Sequence, residues 1–174
     1  ETSYDALLDL YKEWKKGDAS REAFLHQAAK IPGIYVPSLY EVSYKEDGTL
    51  ASMEPVYDDI PKKIEKQVVT ELTASVYPDK PVVPFLKVTQ DRVVLEVQRG
   101  CIRGCRFCQA GMIYRPLREK DVERLKRQAD IMLKNTGYEE ISLSSLSSSD
   151  YTFLPELLDF LIKECESRKV NISL

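Results

Sequence analysis

Three cysteines within eight residues are the part of this 174-residue sequence best suited to chemistry: Cys101, Cys105 and Cys108. Their Cys-x3-Cys-x2-Cys spacing gives two short loops that can turn three thiolates toward one point, as metal binding requires. Iron–sulfur cubanes usually take four cysteines, and no fourth cysteine lies nearby. A metal site with one open coordination position is suited to catalysis, because a substrate can bind the metal there.

Zinc is the alternative metal for these cysteines. Structural zinc sites usually combine such a motif with a second, distant pair of ligands, and here Cys165 stands alone. Cys165 falls on the same face of a predicted helix as several leucines, so we expect it to be a small core residue. A disulfide framework is disfavoured, because only four cysteines occur and no signal-peptide pattern accompanies them.

The elements around the cysteines place them on a loop between a strand and a helix. The segment Arg92–Gln98 is rich in β-branched residues and predicts a strand. Gly100 and Gly104 permit loop conformations that other residues resist, and Arg115-Pro116 ends regular structure before an amphipathic helix. In parallel α/β folds, ligands bind on loops in this position.

Two stretches resemble the radical S-adenosylmethionine (SAM) superfamily. Residues 100–116, GCIRGCRFCQAGMIYRP, are similar to its signature, with Phe107 at the aromatic position before the last cysteine. More narrowly, these residues together with residues 140–151, EISLSSLSSSDY, resemble a group of cobalamin-associated radical SAM proteins that has no settled reaction. The resemblance covers residues 91–174 and extends more loosely back to residue 1.

The resemblance implies two cofactors. Cys101, Cys105 and Cys108 would hold three irons of a [4Fe-4S] cluster, and the fourth iron would bind the amino and carboxylate groups of SAM. One electron from the reduced cluster would cleave the sulfonium, releasing methionine and a 5′-deoxyadenosyl radical that abstracts hydrogen from an unknown substrate. Cobalamin would belong to a domain outside this chain.

The resemblance also implies SAM-contacting residues. Phe107 would lie near the adenine. Ser144, Ser145 and Leu146 occupy the position of the family's Gly-Gly-Glu segment, which touches the methionyl amine, although all three residues differ from it. Hydroxyl or carbonyl oxygens could still accept from an ammonium. The sequence names no catalytic acid or base.

Five arginines crowd the cysteine motif. Their positive charge would compensate for the thiolates and for the SAM carboxylate, although solvated loop positions are the simpler interpretation for at least half of them. They are Arg99, Arg103, Arg106, Arg115 and Arg118.

Composition narrows the partners and the location. With a net charge of −3 and a sequence pI near 5.4, the chain is not expected to bind nucleic acid generally. No apolar run approaches the length of a membrane span, so we expect a cytoplasmic protein without a membrane partner. The resemblance implies an electron donor such as a flavodoxin or ferredoxin.

Residues 1–80 predict an N-terminal region without the cysteines. Apolar periodicity predicts a helical hairpin, with Ser20 capping the second helix. An aromatic-rich β-hairpin follows, turning at Glu46-Asp47-Gly48. Residues 60–75 fit either a helix or a strand, and a proline-rich connector marks the boundary. An interdomain docking module is the alternative function for this region.

Residues 81–174 predict the first half of a radical SAM partial (β/α) barrel. After a strand expected at Val82–Val88, the order strand, helix, strand, helix, strand requires about three parallel strands with right-handed crossovers. Asp150 or Thr152 would cap the last helix, and Val170–Leu174 would form the third strand. We expect a truncated, inactive part of an enzyme, which could self-associate through its open sheet edge.

Overall fold

The computed structural model describes residues 2–75 and 77–173. The chain divides into two compact units between Val69 and Thr70. This division lies upstream of the domain boundary predicted after residue 80, which stays a prediction. Among the helices of the described residues, none combines the length and the apolar character that a membrane crossing requires.

The first unit begins with the expected helical hairpin. Helix α1 spans Thr2–Lys16 and helix α2 spans Arg21–Ala28. The hydroxyl of Ser20 accepts a hydrogen bond from the Ala23 N–H, which confirms the predicted cap. Three aromatic rings connect the two helices through contacts of 5.1–6.1 Å between ring centroids. These rings belong to Tyr11, Trp14 and Phe24.

The predicted β-hairpin follows, and it begins later than the extended pattern suggested. Strand β1 spans Tyr40–Tyr44 and pairs antiparallel with strand β2, Leu50–Pro55. The stretch before β1 contains a 3₁₀ turn at Pro37–Leu39, whose Leu39 enters the core of this unit. Residues 60–75 form neither a regular helix nor a strand.

The second unit is built on a parallel sheet. Strand β3 spans Val93–Glu96, and strand β4, Gln98–Arg99, continues the chain toward the cysteines. Helix α3 spans Ala110–Ile113, and strand β5, Arg118–Glu119, pairs antiparallel with β4. The short elements β4, β5 and α3 carry no periodic pattern and were not predicted.

The alternating strand and helix order confirms the α/β prediction. The remaining elements are helix α4, Val122–Thr136; strand β6, Glu140–Ser144; helix α5, Leu154–Arg168; and strand β7, Asn171–Ser173. Within residues 77–173 the parallel strands have the order β3-β6-β7. Leu174, the last residue of the predicted third strand, lies outside the described residues.

Helices α4 and α5 cover one face of the sheet. Alternate residues of β3, Val93 and Leu95, are almost completely buried, as are Leu125 of α4 and Leu161 of α5. Helix α4 ends at Gly137, whose φ of 68° places it in the left-handed region, as predicted from Asn135-Thr136-Gly137. Cys165 is buried in this same core, which confirms its predicted role.

Two local predictions are wrong. Val82–Val88 forms no strand, and its Val82 and Phe85 side chains are almost fully exposed. Neither Asp150 nor Thr152 caps α5, because the residue at its N-cap is Phe153, which makes no side-chain cap. Pro155 does lie in the first turn of α5, where its missing N–H costs no helical hydrogen bond.

Candidate metal centre and adjoining cleft

The cysteine loop, residues 100–109, leaves the sheet at the carboxyl ends of its parallel strands. Glu96, the last residue of β3, pairs with Ser144, the last residue of β6. The loop follows β3 and β4, and residues 145–150, here called the serine loop, follow β6. Ligands of open parallel sheets bind at this edge, so the fold puts both predicted ligand-binding loops in a suitable place.

All three motif cysteines are free thiols, and they differ in exposure. Cys101 is half-buried, whereas Cys105 and Cys108 are exposed. The Arg103 N–H donates to the Cys101 sulfur at 3.4 Å, and the Cys108 N–H donates to the Cys105 carbonyl at 3.1 Å. The loop is therefore ordered around Cys101 by a backbone–thiol contact and closed near Cys108 by a turn.

The side chains of the motif do not converge on one point. Across residues 2–75 and 77–173, no group of three or more histidine, cysteine or acidic side chains is arranged to hold a metal ion. For the three thiols to bind one metal centre, as the sequence predicts, the loop or its side chains would have to rearrange. The two exposed cysteines lie on irregular backbone on either side of Phe107.

The donor set nevertheless fits an iron–sulfur cluster by its chemistry. Soft thiolates are the ligands that such clusters take. Gly104, between the first two cysteines, has no atom within 4 Å of the position a Cβ would occupy, so this side of the loop is open. Burial raises the pKa of the Cys165 thiol, and its place in the α5 core separates it from the motif.

The position of the loop is fixed at both ends by close backbone contacts. A Cβ on Gly100 would lie 2.6 Å from the Tyr114 carbonyl and 2.7 Å from the Pro116 carbonyl. A Cβ on Gly111 would lie under 3.0 Å from the Arg103 carbonyl oxygen. Glycine is thus required where the chain enters the loop and where α3 supports it.

Four of the five arginines have specific contacts in this region. Arg99 makes a two-pronged ion pair with Glu96, at 2.6 and 2.8 Å, and Arg103 makes one with Asp150. Arg115 donates to the Ile102 carbonyl, and Arg118 donates to the carbonyls of Tyr114 and Pro116. Much of their charge therefore serves to hold the loops.

A cleft of about 360 Å³ lies beside the cysteine loop. Ser144, Ser145 and Leu146, predicted to contact SAM, line it together with Gly100, which directly precedes Cys101. The other lining residues are Glu96, Gln98, Arg99, Tyr114 and Arg118. Phe107, predicted to lie near the adenine, does not line this cleft, and its ring is 92% exposed.

Gln98 is a lining residue that the sequence analysis missed. It is 2% exposed, and its amide nitrogen donates to the Ser147 carbonyl at 2.6 Å. Its buried amide oxygen has no hydrogen-bond partner among the described residues. In the sequence, the signal for Gln98 is its polar side chain directly after the apolar strand residues, where parallel α/β proteins bind ligands. A buried acceptor without a partner is uncommon in proteins and often lies near a functional site.

Comparison with known proteins identifies the second unit. Residues 95–174 match the family model described as the radical SAM superfamily. This part of the chain belongs to the radical SAM superfamily. The match begins within β3 and includes the cysteine loop, the cleft and both helices of the sheet. Proteins of this superfamily generally use an iron–sulfur cluster and SAM.

A relative and a structure search complete the comparison. An uncharacterized protein of Methanocaldococcus jannaschii is 38% identical over 68 residues, which cover 39% of this chain and 15% of that protein. The matched residues thus span a small part of the length of this relative. No solved structure matches the chain.

Proposed function

We propose that this chain supplies the cluster-binding and SAM-binding part of a radical SAM enzyme. The observation that carries the proposal is the motif of three free thiols at the carboxyl edge of a parallel sheet, in the segment that matches the superfamily. When bound, a [4Fe-4S] cluster reduced by an external electron donor would supply one electron for the cleavage of SAM to methionine and a 5′-deoxyadenosyl radical. Cys101, Cys105 and Cys108 are the residues that would hold it.

The cleft would receive the methionyl end of SAM. Ser144 and Ser145, which line the cleft, present hydroxyl oxygens that can accept from an ammonium. Leu146, half-exposed in the same wall, would contact the apolar part of the ligand. Phe107 would approach the adenine when the exposed turn between Cys105 and Cys108 folds over it.

The complete reaction needs more than these residues. We propose that the substrate pocket, an electron donor such as a flavodoxin or ferredoxin, and any cobalamin domain belong to other parts or partners of the parent protein. The first unit would dock to those parts, and the isolated chain would not turn over substrate. Kinship to the cobalamin-associated group stays a prediction, because its support is the residue pattern alone.

Anaerobic reconstitution with iron and sulfide tests the assignment. We expect iron and labile sulfide in similar amounts, near four per chain for a cubane, and an electron paramagnetic resonance signal of the reduced protein that changes when SAM is added. Each of the single variants Cys101→Ser, Cys105→Ser and Cys108→Ser should contain severalfold less iron than the wild-type protein.

Cys165→Ser is the matched control, because it removes a thiol from the core and leaves the motif intact. It should retain the iron content of the wild-type protein. Retention of iron by a variant without the three motif cysteines would reject the proposal. A colourless protein with stoichiometric zinc would instead support a structural zinc module.

A further inference from the structure

Arg103, between the first two cysteines of the motif, is held from three directions. Its N–H donates to the Cys101 sulfur, and its carbonyl oxygen occupies the space that a Cβ on Gly111 of α3 would need. Its guanidinium extends to Asp150, 47 residues further along the chain. No other residue of the cysteine loop combines a contact to a motif sulfur with an ion pair, among the described residues.

Asp150 is a well-defined partner for this arginine. Its side chain is 7% exposed, and both carboxylate oxygens accept from Arg103: Oδ2 from Nε at 2.9 Å and Oδ1 from Nη2. Two parallel hydrogen bonds fix the orientation of both groups, as a lysine could not. The hydrogen bond from Arg103, followed by one from Ser147, lowers the pKa of Asp150.

Asp150 also belongs to the serine loop, which has its own internal order. The Asp150 N–H donates to the Ser147 carbonyl, which also accepts from the Gln98 side chain in the cleft wall. The Ser147 N–H donates to the Ser145 hydroxyl at 3.2 Å. A movement of Asp150 would therefore be transmitted to residues that line the cleft.

We infer that the Arg103–Asp150 pair is a positioning clamp that couples the cysteine loop to the serine loop. Arg103 is a positioning residue: through its backbone it orients Cys101, and through Asp150 it ties that cysteine to the wall of the cleft. Loading of the metal centre would then order the SAM-contacting loop. This inference rests on the proposed function for its biological meaning.

Hydrogen exchange of the metal-free, reduced protein tests the clamp directly. Asp150→Asn keeps the shape of the side chain and removes its charge, and Arg103→Lys keeps the charge and removes the paired geometry. Each should speed amide exchange at residues 101–104 and 147–150 by about three- to tenfold, as expected for a lost local ion pair. The double variant should exchange no faster than the more affected single variant, because both changes remove one interaction.

Asp130→Asn is the matched control. It removes the carboxylate that Arg168 and Lys134 contact on α4 and α5, away from both loops. This control should leave exchange in the two loops unchanged. Equal loop exchange in the wild-type, Asp150→Asn and Arg103→Lys proteins would overturn the clamp.

Reconstitution adds a second measurement, which distinguishes coupling between the two loops from simple stabilisation by an ion pair. In the wild-type protein, reconstitution with iron and sulfide should slow amide exchange in both loops. In Asp150→Asn, it should slow exchange in the cysteine loop but not at residues 147–150. Protection of the serine loop in Asp150→Asn equal to that in the wild type would also overturn the inference. Failure of the wild type to take up iron would reject the proposed function, and the metal-free exchange data would still decide whether the clamp exists.

Discussion

Gly111→Ala tests whether close contact between α3 and the cysteine loop sets the position of the motif. Gly111 is buried in α3, and an added Cβ would meet the Arg103 carbonyl oxygen at under 3.0 Å. Ordinary Cβ contacts begin at 3.4 Å, so the two atoms must separate by more than 0.4 Å. The obstacle is backbone rather than a flexible side-chain tip, which means that α3 or the loop has to move.

Two opposing effects set the size of the change. Alanine in a helix is up to about 1 kcal/mol more favourable than glycine. Extra volume forced into close contact costs about 1–3 kcal/mol, and an immobile carbonyl favours the upper half of that range. We therefore expect Gly111→Ala to lower the free energy of unfolding by about 1–2 kcal/mol, and to reduce iron uptake because Arg103 lies between Cys101 and Cys105, two of the proposed ligands.

Urea unfolding of the metal-free protein, followed by circular dichroism under reducing conditions, measures the first effect, and iron analysis after reconstitution measures the second. Gly104→Ala is the control in the same loop, since no atom lies within 4 Å of its added Cβ. It should change the unfolding free energy by less than about 0.5 kcal/mol. If Gly111→Ala were as stable as the wild type and took up iron equally, the proposed steric support of the loop would be refuted.

Two further predictions concern the body of the second unit. Lys120 is 1% exposed, and its ammonium has no hydrogen-bond acceptor among the described residues, although it lies 4.3 Å from the Tyr77 ring centroid. Lys120→Met removes this buried charge, so we expect the free energy of unfolding to rise by about 1 kcal/mol at pH 7. Burial lowers the pKa of Lys120 below 10.5 in the folded state, so the unfolded chain binds more protons and the stability of the wild type rises toward pH 10. In urea unfolding, the difference in free energy of unfolding between Lys120→Met and the wild type should therefore become smaller from pH 7 to pH 10. A difference that does not change with pH would contradict this reasoning, as would an equal stabilisation by Lys163→Met, which removes an exposed lysine. Leu161→Ala should cost about 2–5 kcal/mol because its side chain is fully buried, whereas its half-exposed neighbour Ile162→Ala should cost clearly less in the same assay.

Local sequence patterns were sufficient to predict the main elements of the fold. The apolar periodicity of α4 and α5 reflects one covered helix face each, and the β-branched run of β3 reflects burial within the sheet. The strand and helix order then fixes parallel pairing. The Ser20 and Gly137 caps were also predictable, since each depends on neighbouring backbone only.

Features that depend on distant partners could not be predicted in this way. Val82–Val88 has the composition of a strand, but no strand among the described residues pairs with it, and its Pro84 removes one hydrogen-bond donor. Asp150 has the position of a helix cap, but an arginine 47 residues earlier competes for it. Gln98 faces the cleft because β4 pairs with β5, a contact that local composition does not encode.

The sequence predicts which side chains of the site could bind a metal, but not how the structure arranges them. The spacing of Cys101, Cys105 and Cys108 predicts that these thiols are metal ligands, because it depends only on the chain length between them, and this assignment stays a prediction. Their present separation depends on the turn near Cys108 and on the contacts of Arg103 with Gly111 and Asp150. Whether Phe107 and the serines contact SAM stays a prediction.

Residues 70–75 and 77–80, here called the strap, contact both ends of helix α4. The Thr73 hydroxyl accepts from the Asp121 N–H at the start of the helix, and Asn135 near its end donates to the Asp79 carbonyl. Leu72 is buried, and the Tyr77 hydroxyl donates to the Val94 carbonyl of β3. A recombinant version of the second unit that starts at residue 81 would expose the surface beneath this strap, so the sensible place to cut the gene is before Thr70.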